Sequence, residues 1–317
     1  MIATGLKLQV RALNDIAPSL RQLSLGTLDG TPLPPSGAGS HVLFTLPGQG
    51  RMHRNAYSLV NAPGSRGQYD IIVRRVPASR GGSAAVHERL KVGDVIDAQL
   101  PANMFPPQRS ARQHLMIAGG IGITPFLSYL KDVGVQAGDH ALHVCCRESE
   151  QTVFAPWLPT DKSKVFFHWD ADGHRLDIAA LLAEQTAGTH LYVCGPSDLN
   201  QSVLAAAKAL GWPANQVHSE LFGGAASGGA SFEAVLQRSG QRVQVGEDES
   251  LLEALEREGL APNCLCRGGA CGVCLTNVIA GEPEHRDHFL SAADKAKGRL
   301  IMPCVSRARG PSLVLDL

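Results

Sequence analysis

Four cysteines near the C-terminus define the chemistry open to this chain. Cys266, Cys271 and Cys274 keep the spacing C-x4-C-x2-C, and Cys304 follows after a long gap. The residues between the first three, Arg267-Gly268-Gly269-Ala270 and Gly272-Val273, are few and glycine-rich, so this loop can wrap tightly around a metal centre. That is the ligand pattern of a plant-type [2Fe–2S] cluster, which carries one electron at a time. A disulfide framework would need an oxidising compartment, and zinc ribbons pair their ligands as two C-x2-C units where this chain has one. Cys264, two residues before the first ligand, reads as a small buried residue and not as a fifth ligand. Cys145 and Cys146, at the end of an apolar run, read as packing. The 12 histidines show no paired metal-ligand spacing and are assigned no catalytic role.

A one-electron carrier needs a source of electrons, and the rest of the chain must supply it. With 317 residues there is room for two or three domains, each with its own core. Hydrophobic content of 44% and charged content of 18% are those of an ordinary globular protein. Lysine plus arginine balance aspartate plus glutamate at 29 each, which removes bulk charge as a reason to bind nucleic acid or lipid. The opening Met-Ile-Ala-Thr-Gly-Leu-Lys-Leu-Gln-Val lacks an apolar run followed by a small-residue cleavage site, and no stretch has the length of a membrane span. With eight cysteines and no secretion signal, a reducing cytoplasm is the expected compartment.

Three grammars follow one another along the chain. Residues 6–12, 21–27, 41–46, 56–60, 69–76 and 95–100 alternate apolar and polar between glycine and proline punctuation, which predicts a small antiparallel β-barrel over 1–108. From residue 109 to 223, strands at 115–118, 141–145, 165–168 and 191–194 alternate with helical stretches at 125–133 and 199–210. This is the signature of an α/β domain with a parallel sheet. A Gly/Ser-rich flexible linker, 224–231, precedes the last segment, 232–317. There, strands at 232–236 and 242–245 and a helix opened by Ser250 and closed by Gly259 lead into the cysteine loop, the plan of a small β-grasp ferredoxin domain.

Two regions outside the cysteines could hold phosphates. In 114–126 an apolar strand runs into Gly119, Gly120 and Gly122, and a helix starts at Thr124-Pro125. Glycine permits close backbone approach to a pyrophosphate, although an ordinary strand-to-helix turn would look the same. Cys194-Gly195-Pro196 ends the last expected strand of this domain, where open α/β sheets bind ligands. In the barrel, Arg54, Tyr57 and Ser58 place a cation, an aromatic ring and a hydroxyl close together. Gly81-Gly82-Ser83 predicts a helix with a serine cap after two glycines, a second cradle for phosphate or simply a turn with a cap.

Together, the barrel motif, Gly-Gly-Ile-Gly-Ile-Thr-Pro, Cys-Gly-Pro and the C-terminal cysteines resemble the phthalate dioxygenase reductase and vanillate demethylase reductase family over essentially the whole chain. The resemblance implies an FMN-binding barrel, an NADH-binding domain and a [2Fe–2S] ferredoxin domain. It further implies a reductase, with no catalytic side chain of its own, that feeds a Rieske-type oxygenase. It places Tyr57 and Ser58 on the isoalloxazine ring, and Arg54, Gly81, Gly82 and Ser83 near the FMN phosphate. Gly119, Gly120, Gly122, Thr124, Cys194, Gly195 and Pro196 would hold the nicotinamide nucleotide, and Phe222, in Glu-Leu-Phe, would shield the flavin. One departure from the family's Arg-x-Tyr-Ser is that Asn55 stands two residues before Tyr57, with Arg54 one residue earlier. A monomer is expected. A cytochrome P450 as partner, or a cluster-based redox sensor, are the competing readings.

Overall fold

The computed structural model describes residues 5–48, 52–77, 81–171, 173–222 and 228–317. The chain forms two compact units, Met1–Phe222 and Gly223–Leu317. Residues 224–227 of the expected linker lie outside the described residues, whereas its far end is tied down within the second unit: Arg286 Nη1 donates to the Gly228 carbonyl at 2.9 Å and Arg307 Nη2 to that of Ala230 at 3.0 Å. Among the described residues no helix is long and apolar enough to cross a membrane.

The first unit begins with β1 (Leu6–Ala17), β2 (Leu20–Thr27), β3 (His41–Pro47), β4 (Met52–Ser58), β5 (Tyr69–Arg74), α1 (Gly82–Glu88) and β6 (Val95–Ala98). The six strands form one antiparallel barrel sheet in the order β4-β3-β6-β1-β2-β5. Alternation along β5 serves two cores: Tyr69, Ile71 and Val73 point into the barrel, and Ile72 points out of it. The expected serine cap of α1 is corrected. Gly81, in the left-handed region at φ 106°, holds the N-cap position, and Ser83 accepts the Val76 N–H at 3.1 Å, joining the helix to the chain beyond β5.

The second half of this unit contains β7 (Gln113–Gly119), α2 (Thr124–Tyr129), α3 (Val133–Ala137), β8 (Asp139–Cys145), α4 (Gln151–Phe154), β9 (Val165–His168), α5 (Ile178–Ala183), β10 (Thr189–Gly195), α6 (Ser197–Ala209) and β11 (Val217–Leu221). Its five strands are parallel, in the order β11-β10-β7-β8-β9. The single helix expected over 125–133 is two, because the Asp132 carboxylate caps a fresh start by accepting from Gly134 N at 2.8 Å and Val135 N at 3.2 Å. Strand β11, with His218, Ser219 and Glu220 in its middle, has no apolar run to announce it. One face of the sheet (Leu115, Ile117, Leu191, Val193) packs on residues of α5 and α6. The other (Met116, Ala118, Tyr192, Cys194) shares a core with Leu20, Val60, Ile72 and Phe105 from the barrel half.

The second unit contains β12 (Phe232–Leu236), β13 (Arg242–Val245), α7 (Leu251–Arg257), β14 (Thr276–Ala280), β15 (Pro283–Glu284), α8 (Ala292–Lys297), β16 (Leu300–Ile301), β17 (Arg307–Ala308) and β18 (Ser312–Leu315). Its main sheet runs β13-β12-β18-β14-β16, with β12 and β18 parallel. The expected hairpin of β12 and β13 is present, and α7 starts with a capping box in which Ser250 and Glu253 satisfy each other's backbone N–H. Leu251, Ala254 and Leu255 from α7 close the core of this sheet.

Parallel register also stacks histidines that are far apart in sequence. His140, His114 and His190 sit side by side across three strands, and His190 Nδ1 lies 3.0 Å from His218 Nε2. His143 Nδ1 lies 3.0 Å from His168 Nε2. Burial, then the neighbouring imidazoles, depress His218 and His143 to about 4, and burial lowers His114, His168 and His190 as well. Below the ordinary value of 6.5 the unfolded chain takes up protons that the folded chain refuses until about 4, so stability is lost as pH falls through that window. The urea midpoint should therefore drop between about pH 7 and about pH 5, and His218→Asn combined with His143→Gln should flatten this dependence. A midpoint independent of pH over that range would refute it.

Candidate cofactor sites

Strand β4 carries the barrel's candidate residues on both faces. His53, Asn55 and Tyr57 alternate to one side, and Arg54, Ala56 and Ser58 to the other. The start of α1 is therefore met by His53 and Asn55: a Cβ on Gly81 would lie 2.8 Å from the His53 ring, and one on Gly82 would lie 2.6 Å from the Asn55 amide carbon. Arg54 is exposed, on the opposite face. The hydroxyls of Tyr57 and Ser58 are buried without a hydrogen-bond partner, and burial drives the Tyr57 phenol well above its ordinary value. Buried hydroxyls of this kind fit a bound group that brings its own donors and acceptors, as an isoalloxazine does.

The glycine loop after β7 lies against the end of β10, backbone to backbone. A Cβ on Gly122 would overlap the Cys194 carbonyl, with its carbon at 2.6 Å, and one on Gly119 would meet Pro196 Cδ at 2.5 Å. The two motifs that sequence placed 72 or more residues apart are thus one surface. Within it, the Thr124 hydroxyl is buried and donates to the Ile121 carbonyl at 3.0 Å. The Cys194 thiol is also buried and is held protonated by burial and then by the Glu220 carboxylate, 3.9 Å away. Phe222 is partly buried against the shared core.

Sequence reasoning missed Arg74. It comes from β5, pairs with Glu150 at 2.8 Å, and has Nη2 3.4 Å from where a Cβ on Gly120 would lie. Its Nε and Nη2 are buried without a partner. The only sequence signal was an arginine pair, Arg74-Arg75, at the end of an apolar strand. Glu150 is engaged by Arg74, whereas Arg147 and Glu148 are exposed beyond the end of β8.

In the second unit the four cysteines lie as two pairs. The thiols of Cys266 and Cys271 shift each other's protonation, and Cys274 Sγ is 3.3 Å from Cys304 Sγ. Among the described residues no group of three or more His, Cys, Asp or Glu side chains is arranged to hold a metal ion. A plant-type two-iron centre takes four cysteines. The Cys271 thiol, then the backbone N–H groups of Gly268, Ala270 and Cys271, hold the Cys266 thiol below its ordinary value. Arg267, at φ 52° and buried, holds the loop to α7 through two bonds to Glu256, at 2.8 and 2.5 Å.

A barrel, a pyridine-nucleotide type of glycine loop and a two-iron thiol loop define an iron–sulfur oxidoreductase, and comparison with known proteins agrees. Residues 234–309 match the 2Fe-2S iron-sulfur cluster binding domain, and 95–217 match the N-terminal domain of dimethylamine monooxygenase subunit DmmA-like proteins. The chain is 44% identical to the heme-dependent oxidative N-demethylase beta subunit of Ectopseudomonas mendocina, over 100% of both chains. It is 42% identical to the vanillate O-demethylase oxidoreductase of a Pseudomonas species, over 97% of this chain and 98% of that one. Among solved structures, phthalate dioxygenase reductase, described as a modular structure for electron transfer from pyridine nucleotides to [2Fe–2S], superposes with a TM-score of 0.86 at 33% identity, covering 99% and 98% of the two chains. The chain belongs to the phthalate dioxygenase reductase and vanillate demethylase reductase family. It is an oxidoreductase, the reductase component of an oxygenase system.

The close approach of the glycine loop after β7 to the end of β10 gives a direct test. Gly122→Ala must displace the Cys194 carbonyl, and overpacking of this kind costs about 1–3 kcal/mol. We expect a lower urea midpoint and weaker retention of pyridine nucleotide on an affinity matrix, with the iron–sulfur absorption unchanged.

Proposed function

We propose that this chain takes electrons from NADH, through FMN and a [2Fe–2S] cluster, and delivers them singly to a Rieske-type non-haem iron oxygenase, working as a monomer. The observation that carries this reading is the pairing of Cys266 with Cys271 and Cys274 with Cys304 inside a matched 2Fe–2S domain. FMN, when bound, supplies the step between a two-electron donor and a one-electron carrier. The chain's own residues bind and orient. Tyr57 and Ser58, the last two residues of β4, carry buried hydroxyls without partners, which supports placing the ring at the end of that strand. Gly81, Gly82 and Ser83 would face the phosphate, where Asn55 stands closer than Arg54. Phe222 would cover the ring. Gly119, Gly120, Gly122, Thr124, Cys194, Gly195 and Pro196 shape a floor for the nicotinamide nucleotide, and Arg74, clamped by Glu150, sets positive charge beside it. The carboxylate of Glu148, beyond β8, disfavours the extra phosphate of NADPH.

A second reading of the partner, a haem-iron demethylase, is favoured by the relative at 44% identity and by the DmmA-like match. Mixing the reductase with NADH and each class of oxygenase, and measuring product formed per NADH consumed, separates the two. Acid release should yield FMN, and kcat/KM should favour NADH over NADPH; coupling to neither oxygenase class would remove the partner proposal.

Replacing Cys266, Cys271, Cys274 or Cys304 by serine should bleach the red-brown iron–sulfur absorption and leave a yellow flavoprotein. Undiminished iron and sulfide in these variants would rule out the ligand assignment.

A further inference from the structure

The two thiol pairs of the cluster loop have different surroundings. Cys266 receives backbone N–H groups, Gly268 N lying 3.4 Å from its Sγ. Cys274 and Cys304 instead sit in an apolar pocket with Leu252, Met302 and Val305, and Cys264 packs into the same pocket. The Cys264 side chain packs directly on the hydrophobic cluster that Cys274 and Cys304 belong to. A fifth sulfur therefore lies against one pair and not the other.

We propose that Cys264 is a tuning residue whose S–H donates a hydrogen bond to the Cys274 or Cys304 sulfur once these hold iron. This rests on the [2Fe–2S] reading above. The two pairs already supply the four protein ligands that such a centre takes, which leaves Cys264 as a donor. A thiol is a weak donor to neutral acceptors. An anionic sulfur strengthens the bond, and the surrounding Leu252, Met302 and Val305 keep its local dielectric low. A donor on a ligand sulfur stabilises added negative charge, so it favours the reduced centre, and reduction potentials of such centres respond to hydrogen bonds on their sulfurs. Because Cys264 touches one pair only, its effect falls on one of the two irons.

The test uses the full-length protein with Cys264→Ala and Cys264→Ser. Iron and sulfide are quantified first, and the centre is then titrated reductively with its EPR signal as readout. Cys264→Ala should keep its iron and show a three- to tenfold lower ratio of reduced to oxidised centre at fixed potential, tenfold being about 59 mV for a one-electron couple. Cys264→Ser, whose hydroxyl still donates, should restore the ratio. A ratio in Cys264→Ala equal to that of the unaltered protein overturns the proposal, as does loss of iron from that variant, which would make Cys264 a ligand. Absence of a two-iron centre from the unaltered protein would instead sink the cluster reading, and this inference with it.

Discussion

The aromatic core shared by the barrel and the parallel sheet is the constraint on which the first unit depends. Phe105, Phe126, Tyr129 and Tyr192 pack with ring centroids 5.5 to 5.9 Å apart, mostly edge-on or tilted. Each such contact is worth about 0.5–1.5 kcal/mol beyond area burial. Their polar ends are satisfied on the connecting segment itself: Tyr129 donates to the Phe105 carbonyl at 2.6 Å, and the Gln108 N–H donates to the Tyr192 hydroxyl at 2.8 Å. Two further bonds cross between the halves, Gly39 N to Ser128 Oγ at 2.9 Å and Lys131 Nζ to the Val60 carbonyl at 2.7 Å. Because the halves share a core, the hydroxyls of β4 and the glycine loop after β7 belong to one body. That rigidity suits transfer between two bound groups, which depends on distance and orientation.

The second unit solves a different problem. Its sheet and α7 form a core of their own, and the cysteine loop is held to that core by the Arg267–Glu256 pair. A pair this buried contributes little net stability, yet removing one partner costs about 3–5 kcal/mol because the other charge is left buried alone. Arg267 also has left-handed backbone geometry, a strain of order 1–3 kcal/mol that persists only because the surrounding structure fixes it. Arg307, fully buried, gathers the carbonyls of Glu249, Ala230 and Gly246, which binds the start of β12 to the residues before α7. The loop is thus pre-shaped by groups that are not themselves ligands.

Relatives of nearly equal similarity carry names that refer to haem-dependent N-demethylation and to O-demethylation. A reductase hands on electrons and never touches the final substrate, so its sites carry the constraints of its own cofactors alone.

The sequence by itself determined what is local. Ligand chemistry lies in the cysteine spacing, the start of α7 in Ser250 and Glu253, the hairpin of β12 and β13 in alternation, and the change from barrel to α/β in the change of period. Tertiary structure decided what requires residues distant in the chain to meet. Asn55 reaches Gly82 because β4 alternates its side chains and α1 returns to that strand. Ser83 joins α1 to the chain beyond β5, and does not cap, because Gly81 takes the left-handed turn first. Arg74 meets Glu150, and His190 meets His218, only because strands from separate parts of the chain are brought into register. Spacing records short-range geometry, since a few residues can adopt few shapes; which side chains face each other across a sheet or a shared core depends on packing that no short window contains.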